Sequence, residues 1–214
     1  MIKFLRTILF VGVFSLELLS TANAALETRL GGFAVYDTDI NITWLSDADY
    51  AKTSGYDADG MMSWLDAKAW AASLSIGGVT GWRLPTADIS CVGYNCSNSE
   101  MGHLFYDELG GTAGYPLPVP SSSNFFSNIR EYLGVYAHFY WTGTEFTPDL
   151  GWVFFFAAGY QAWGDDTPNS GFVWAVHDGD VGAGLVPEPE TYAMLLAGLG
   201  LLGFMARRRK VSTV

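Results

Sequence analysis

The chain has 214 residues, half of them apolar and 15% aromatic, which suffices for one domain of ordinary size or two small ones and argues against global disorder. Its formal net charge is −11, and between positions 25 and 186 only Arg29, Lys52, Lys68, Arg83 and Arg130 stand against nineteen acidic residues. A surface of that sign repels phosphate backbones and anionic lipid, so nucleic acid is excluded as a partner while cations, neutral glycans and basic partners remain.

Lys3 and Arg6 open the chain, residues 7–19 are mostly apolar, and Ala22, Asn23 and Ala24 put small residues where signal peptidase reads them. Residues 1–24 therefore read as a secretory signal cleaved before Ala25. Glu17 is the one charge in the apolar run, and an uncleaved N-terminal anchor is the alternative.

Residues 26–39 read as a first strand and turn, punctuated by Gly31-Gly32, with Phe33, Val35 and Tyr36 favouring extended backbone. A second short strand is expected at 41–45 and a loop at 47–60. Ser63 with Asp66 three residues on makes an acidic capping box, and Trp64, Ala67, Trp70, Ala71 and Leu74 keep helical spacing until Gly77-Gly78 ends the helix. At the Trp82–Thr86 run, Pro85 forces Leu84 into an extended conformation, a corner with an indole to bury. A second helix is expected over 99–109, stopped by Gly110-Gly111, and then a Pro/Ser/Gly-rich loop over 112–124. Strands follow at 138–146, 152–158 and 171–177, with turns at Pro148-Asp149 and at 167–171. Helices in the first half and strands in the second predict an α+β domain, not alternating parallel units.

Cys91 and Cys96 are the only cysteines. In an oxidising compartment such a close pair reads as a disulfide closing a short loop, with an entropic effect of about 2–3 kcal/mol.

The chain closes with Pro187-Glu188-Pro189, an apolar stretch at 192–206, and Arg207-Arg208-Arg209-Lys210. As a helix the stretch spans about 22 Å, short for a hydrocarbon core of about 30 Å, a gap that snorkelling arginines and bilayer thinning can close. The basic cluster stays cytoplasmic, which places everything before Pro187 outside, in agreement with the N-terminal signal.

That tail, 186–210, resembles a PEP-CTERM sorting signal in the order of its three parts. The resemblance implies removal by exosortase, a membrane-embedded transpeptidase-like protease. The protein would be transiently anchored by the helix at 192–206, then passed to the cell surface or extracellular matrix of an exopolysaccharide-making Gram-negative bacterium. A simple C-terminal membrane anchor is the alternative, and it too exports the domain.

Between the ends, Thr43-Trp44-Leu45, the 56–60 loop, Trp64 with Ala67 and Trp70, Gly77-Gly78, the Trp82–Thr86 run, Tyr140-Trp141-Thr142 and Trp174-Ala175-Val176 with the following 178–181 segment occur in a telling order. They resemble the Lcl C-terminal domain family, over a domain of 25–185 and most strongly over 40–181. The resemblance implies a C-type-lectin-like single domain, two helices packed on irregular antiparallel strands. It also implies adhesion, although five basic residues against nineteen acids suit sulfated glycans poorly.

Several residues are candidates for a ligand or cation site. Asp57 and Asp59, with Asp47 and Asp49 nearby, have the oxygen-rich composition of a calcium loop, but the third acidic position and closing Glu of an EF-hand are missing. The competing reading is a solvated, Asp-capped turn. Asp165, Asp166 and Asn169, or Asp178 with Asp180, would form a cation or sugar site or else plain hairpin turns. Among the eight tryptophans, Trp64, Trp70, Trp82, Trp141 and Trp174 follow core patterns, and Trp163 is the candidate for an exposed sugar-stacking surface. His103, His138 and His177 are scattered, in no metal-ligand spacing, and no nucleophile elbow is present. No catalytic residue or cofactor is assigned, calcium excepted as a candidate. The expectation is an exported, non-catalytic adhesion or glycan-binding protein of exopolysaccharide or biofilm. A hydrolase acting on matrix polysaccharide and a structural matrix protein without a ligand are the alternatives.

Overall fold

The computed structural model describes residues 25–118, 125–130, 139–164, 170–182 and 196–199. The first strand expected from the sequence is a hairpin: β1 (Leu26–Arg29) pairs antiparallel with β2 (Ala34–Asp37), Leu26 opposite Asp37. Gly31 and Gly32 turn it at φ 67° and 103°, left-handed conformations that cost glycine little. β3 (Ile42–Leu45) lies on β2 and receives β10 (Val176–Asp178) on its other side, so the sheet order is β1-β2-β3-β10. Elements from both ends of the domain thus share one sheet.

Between them, α1 (Tyr50–Thr53) occupies part of the expected 47–60 loop. Its single turn rests on Asp47, whose Oδ1 accepts the Asp49 N–H at 2.9 Å and whose Oδ2 accepts the Thr53 hydroxyl at 2.6 Å. After β4 (Met61–Met62) comes α2 (Trp64–Ser73). The capping box forms: Ser63 Oγ accepts the Asp66 N–H at 3.2 Å and donates to the Asp66 carboxylate at 2.7 Å. Trp64, Ala67, Trp70 and Ala71 are its buried face. The helix stops at Ser73, not at Gly77-Gly78, because Leu74 is already extended. The two glycines turn a tight Ile76–Val79 bridge instead, at φ 59° and 85°.

β5 (Gly93–Tyr94), β6 (Tyr140–Thr147), β7 (Leu150–Phe155), β8 (Tyr160–Trp163) and β9 (Gly171–Phe172) join β4 in a second sheet of order β4-β9-β6-β7-β8-β5. Its pairings are antiparallel except β6 with β9. The run expected as one strand at 171–177 is split: Gly171–Phe172 serves this sheet and Val176–Asp178 the other. The stretch expected as a strand at 152–158 stops at Phe155 and turns. Residues 160–163, where no strand was expected, pair fully with β7.

The tryptophans rivet the sheets together. Trp44, Trp64, Trp70, Trp82, Trp141 and Trp174 are each no more than 2% exposed. Four of these indoles donate to backbone carbonyls: Trp64 to Thr142, Trp82 to Val79, Trp141 to Met62 and Trp174 to Leu45, at 2.7–3.0 Å. A buried indole N–H left without an acceptor would cost about 1–3 kcal/mol. Gly151 lets the Trp64 ring lie directly on β7, since a Cβ there would overlap the indole.

The Trp82–Thr86 corner threads between sheets. Arg83 exchanges backbone hydrogen bonds with Val176 at 2.8 Å, and Pro85 accepts the Gly143 N–H at 2.7 Å. The Arg83 guanidinium grips both Glu100 oxygens at 2.8 and 2.7 Å and reaches Asp178 Oδ1 at 2.9 Å from Nε. α3 (Glu100–His103) is capped by Ser99 Oγ on the Gly102 N–H and continues into a π-helical turn, Leu104–Glu108. The expected helix at 99–109 is therefore present, with a widened second half.

Candidate functional site

Asp57 and Asp59 occupy their carboxylates locally. Asp57 Oδ1 accepts the N–H groups of Asp59 and Gly60 at 3.0 and 2.8 Å, and Asp59 Oδ1 accepts that of Met61 at 2.9 Å. These backbone donors hold the Asp57 carboxyl below the usual carboxylate range. The geometry is that of an Asp-capped turn. Asp49 is buried and pairs with Arg130, while Asp47 accepts the Asn128 amide at 3.0 Å, so both acids fasten the 125–130 segment. Asp165, Asp166 and Asn169 lie outside the described residues, as do His138, Ala22, Ala24, Pro187, Glu188, Pro189, Arg207, Arg208 and Arg209. Of the tail, residues 196–199 are described and helical. Among the described residues no helix is long and apolar enough to cross a membrane.

Cys91 and Cys96 form the expected disulfide, with Cα atoms 5.6 Å apart. The closed loop is pinned from outside: the Gln161 amide donates to the carbonyls of Asp88 and Cys91 at 2.8 and 2.7 Å. Tyr106 bonds the loop to the β7–β8 turn, accepting from Asn95 N–H at 2.9 Å and donating to the Gly159 carbonyl at 2.5 Å.

Trp163 is where an exposed aromatic was expected. It is 42% exposed at the end of β8, directly opposite Trp152 on β7, so the two rings share a face of the sheet. The β6–β7 hairpin brings Phe146, 37% exposed, alongside, its ring within 16° of parallel to Trp163 at 5.7 Å between centroids. Buried Trp152 meets both rings edge-on, at 6.1 Å from Trp163 and 6.2 Å from Phe146. Trp163 and Phe146 thus form a nearly parallel, partly exposed aromatic pair over the buried ring of Trp152. The partnership with Phe146 depends on the irregular register between Trp141 and Thr147, which sequence spacing does not reveal.

One grouping escaped the sequence altogether. His103, at the end of α3, meets Asp37 from the end of β2 and Glu108 from the π-helical turn. His103 Nε2 lies 3.4 Å from Asp37 Oδ2 and 3.4 Å from Glu108 Oε1, and His103 Nδ1 lies 3.2 Å from Asp107 Oδ2. Burial pushes the carboxyls of Asp37 and Glu108 up, opposed in each by the charge of His103. A cavity of about 490 Å³ opens beside the imidazole, lined by Ile40, Ser97, Asn98, Ser99, His103 and Asp107 among others. The only local signal was the i, i+4 spacing of His103 and Asp107.

Comparison with known proteins defines the chain in two steps. Residues 185–210 match the PEP-CTERM protein-sorting motif, which marks a chain for export, exosortase processing and association with the cell envelope. Residues 33–177 match the Lcl C-terminal domain, which covers more than half of the chain, and the protein belongs to that family. No curated protein and no solved structure matches it.

Proposed function

We propose that the exported domain holds neutral polysaccharide of the bacterial surface or matrix, without catalysis, by stacking sugar rings on Trp163 and Phe146. The observation that carries this reading is the pair of near-parallel rings, both more than a third exposed, with Trp163 the one exposed tryptophan among the described residues. The acidic surface favours uncharged glycans over sulfated or phosphorylated ones. The main helix α2 and the α3–π-helical segment beside two mostly antiparallel sheets, with β1 and β10 from the two ends of the domain as the edge strands of one of them, support reading the fold as C-type-lectin-like. The proposed organisation is signal peptide 1–24, domain 25–185 and sorting segment 186–210, delivering the domain to the exopolysaccharide matrix of a Gram-negative bacterium.

The test is retention of the full chain on neutral polysaccharide columns, with and without calcium. Trp163→Ala should weaken retention about tenfold, the effect of losing roughly 1.4 kcal/mol of stacking, and Phe146→Ala should weaken it less. A folded wild-type protein that passes unretained in both buffers would overturn the proposal.

A further inference from the structure

We propose that Asp37, His103 and Glu108 bind one divalent transition-metal ion, zinc by the nature of their donors. The inference is independent of the aromatic surface at Trp163.

Backbone geometry brings the three together. In a regular α-helix a residue five positions on lies about 140° around the axis, so Glu108 would point away from His103. The intervening turn is π-helical, with Leu109 N–H donating to the Leu104 carbonyl at 3.0 Å, and this wider winding returns Glu108 to the face of His103. Asp37 arrives from β2 with its orientation already fixed. Its Oδ1 accepts the N–H groups of Asp39 and Ile40 at 3.0 and 3.3 Å.

Asp37 Oδ2 is left over. It sits on a fully buried side chain, makes no hydrogen bond, and points at His103 Nε2, which likewise makes none. The two separations of 3.4 Å are too long for a charge-assisted N–H···O bond, which falls near 2.7–2.9 Å. They match the edge of a coordination tetrahedron: metal–ligand bonds of about 2.0–2.2 Å place neighbouring donor atoms roughly 3.3–3.6 Å apart. The donor atoms of all three residues fall within 4.8 Å of one another.

The outer shell agrees. Asp107 Oδ2 lies beside His103 Nδ1 at 3.2 Å, the carboxylate–imidazole arrangement that keeps the proton on Nδ1 and the Nε2 lone pair free for a metal. One imidazole with two carboxylates is a borderline donor set that suits zinc better than calcium, which takes six to eight oxygens. The cavity at His103 gives the ion its path inward.

The competing arrangement is an imidazolium clasped between two carboxylates with no metal, and a titration separates them. The full chain in detergent, free of any polyhistidine tag and stripped by a chelator, is titrated with zinc alone and separately with cobalt. One equivalent of zinc should bind, and cobalt should give visible d–d bands of low coordination number. Glu108→Gln and His103→Gln should each weaken zinc binding at least tenfold and abolish those bands, and Asp107→Asn should weaken it about tenfold. Near-UV circular dichroism of the buried tryptophans reports folding, and Glu108→Gln, which keeps the side-chain volume, decides if His103→Gln does not fold. A folded wild-type chain that takes up no zinc overturns the proposal. So does zinc bound equally well by wild type and Glu108→Gln.

Discussion

Two groups of ionisable side chains flank the same short helix, and they are built on opposite terms. At the start of α3, Glu100 is held by both arms of the Arg83 guanidinium, which also reaches Asp178, and its Oε2 accepts the Thr86 N–H at 2.7 Å. At the end of the helix, Asp37 and Glu108 face a single imidazole at distances too long for a strong bond, and Asp37 Oδ2 accepts no hydrogen bond. The first group is complete with protein atoms, and its removal leaves unpaired charge. The second is incomplete with protein atoms alone. A carboxylate cluster is therefore informative about function less by its composition than by whether the chain itself supplies the counter-charge.

The largest expected effect breaks the complete group. Arg83→Met should cost about 2–3 kcal/mol in urea unfolding, below the usual range for breaking a buried pair because Arg83 is 31% and Asp178 77% exposed. Next, the double variant Cys91→Ser with Cys96→Ser should lose about 2 kcal/mol, as expected for a short closed loop. Because the Ser99 hydroxyl donates to the Cys96 carbonyl and its oxygen caps α3, this change should loosen both groups at once, read as faster amide exchange across 100–108.

A pH series sharpens the contrast. Arg83 holds the Asp178 carboxyl below its ordinary value of 3.8, so the contribution of this pair is present above that value and lost as pH falls through the lower folded value. The stability gap between wild type and Arg83→Met should stay constant at neutral pH and narrow below about pH 4. The smallest expected effect has the opposite sign: in chelated protein, Glu108→Gln should be neutral or stabilising by up to about 1 kcal/mol, because it removes a poorly compensated buried charge. A loss comparable to that of Arg83→Met would show that the two groups are equivalent.

What was legible in the sequence was local. Ser63 and Asp66 announce their cap because the partners lie three residues apart, and the indoles of Trp64 and Trp70 declare a buried face by helical spacing. Trp163 stood out because polar and small residues surround it. Strands of two residues such as β4 and β5 gave no signal, since their pairing is imposed by distant segments and not by propensity. The His103 grouping was hidden twice. One member comes from a strand far earlier in the chain, and another is brought into line by a π-helical turn that no period of 3.6 anticipates. Gly77-Gly78 misled for a related reason: glycine marks a left-handed turn, and the helix had already ended on Leu74.

The grip of Arg29 on Asp180, with Nε to Oδ1 at 2.7 Å and Nη2 to Oδ2 at 2.9 Å, has a mechanical side. It staples β1 to the residues that follow β10, and Gly182 packs against the same arginine stem. A pull on the chain beyond Gly182 is thus shared at once between this clasp and the antiparallel ladder of β10 on β3, which is loaded along its length. A load applied beyond Gly182 is therefore resisted by an ion pair and a strand ladder together, not by one hydrogen bond after another.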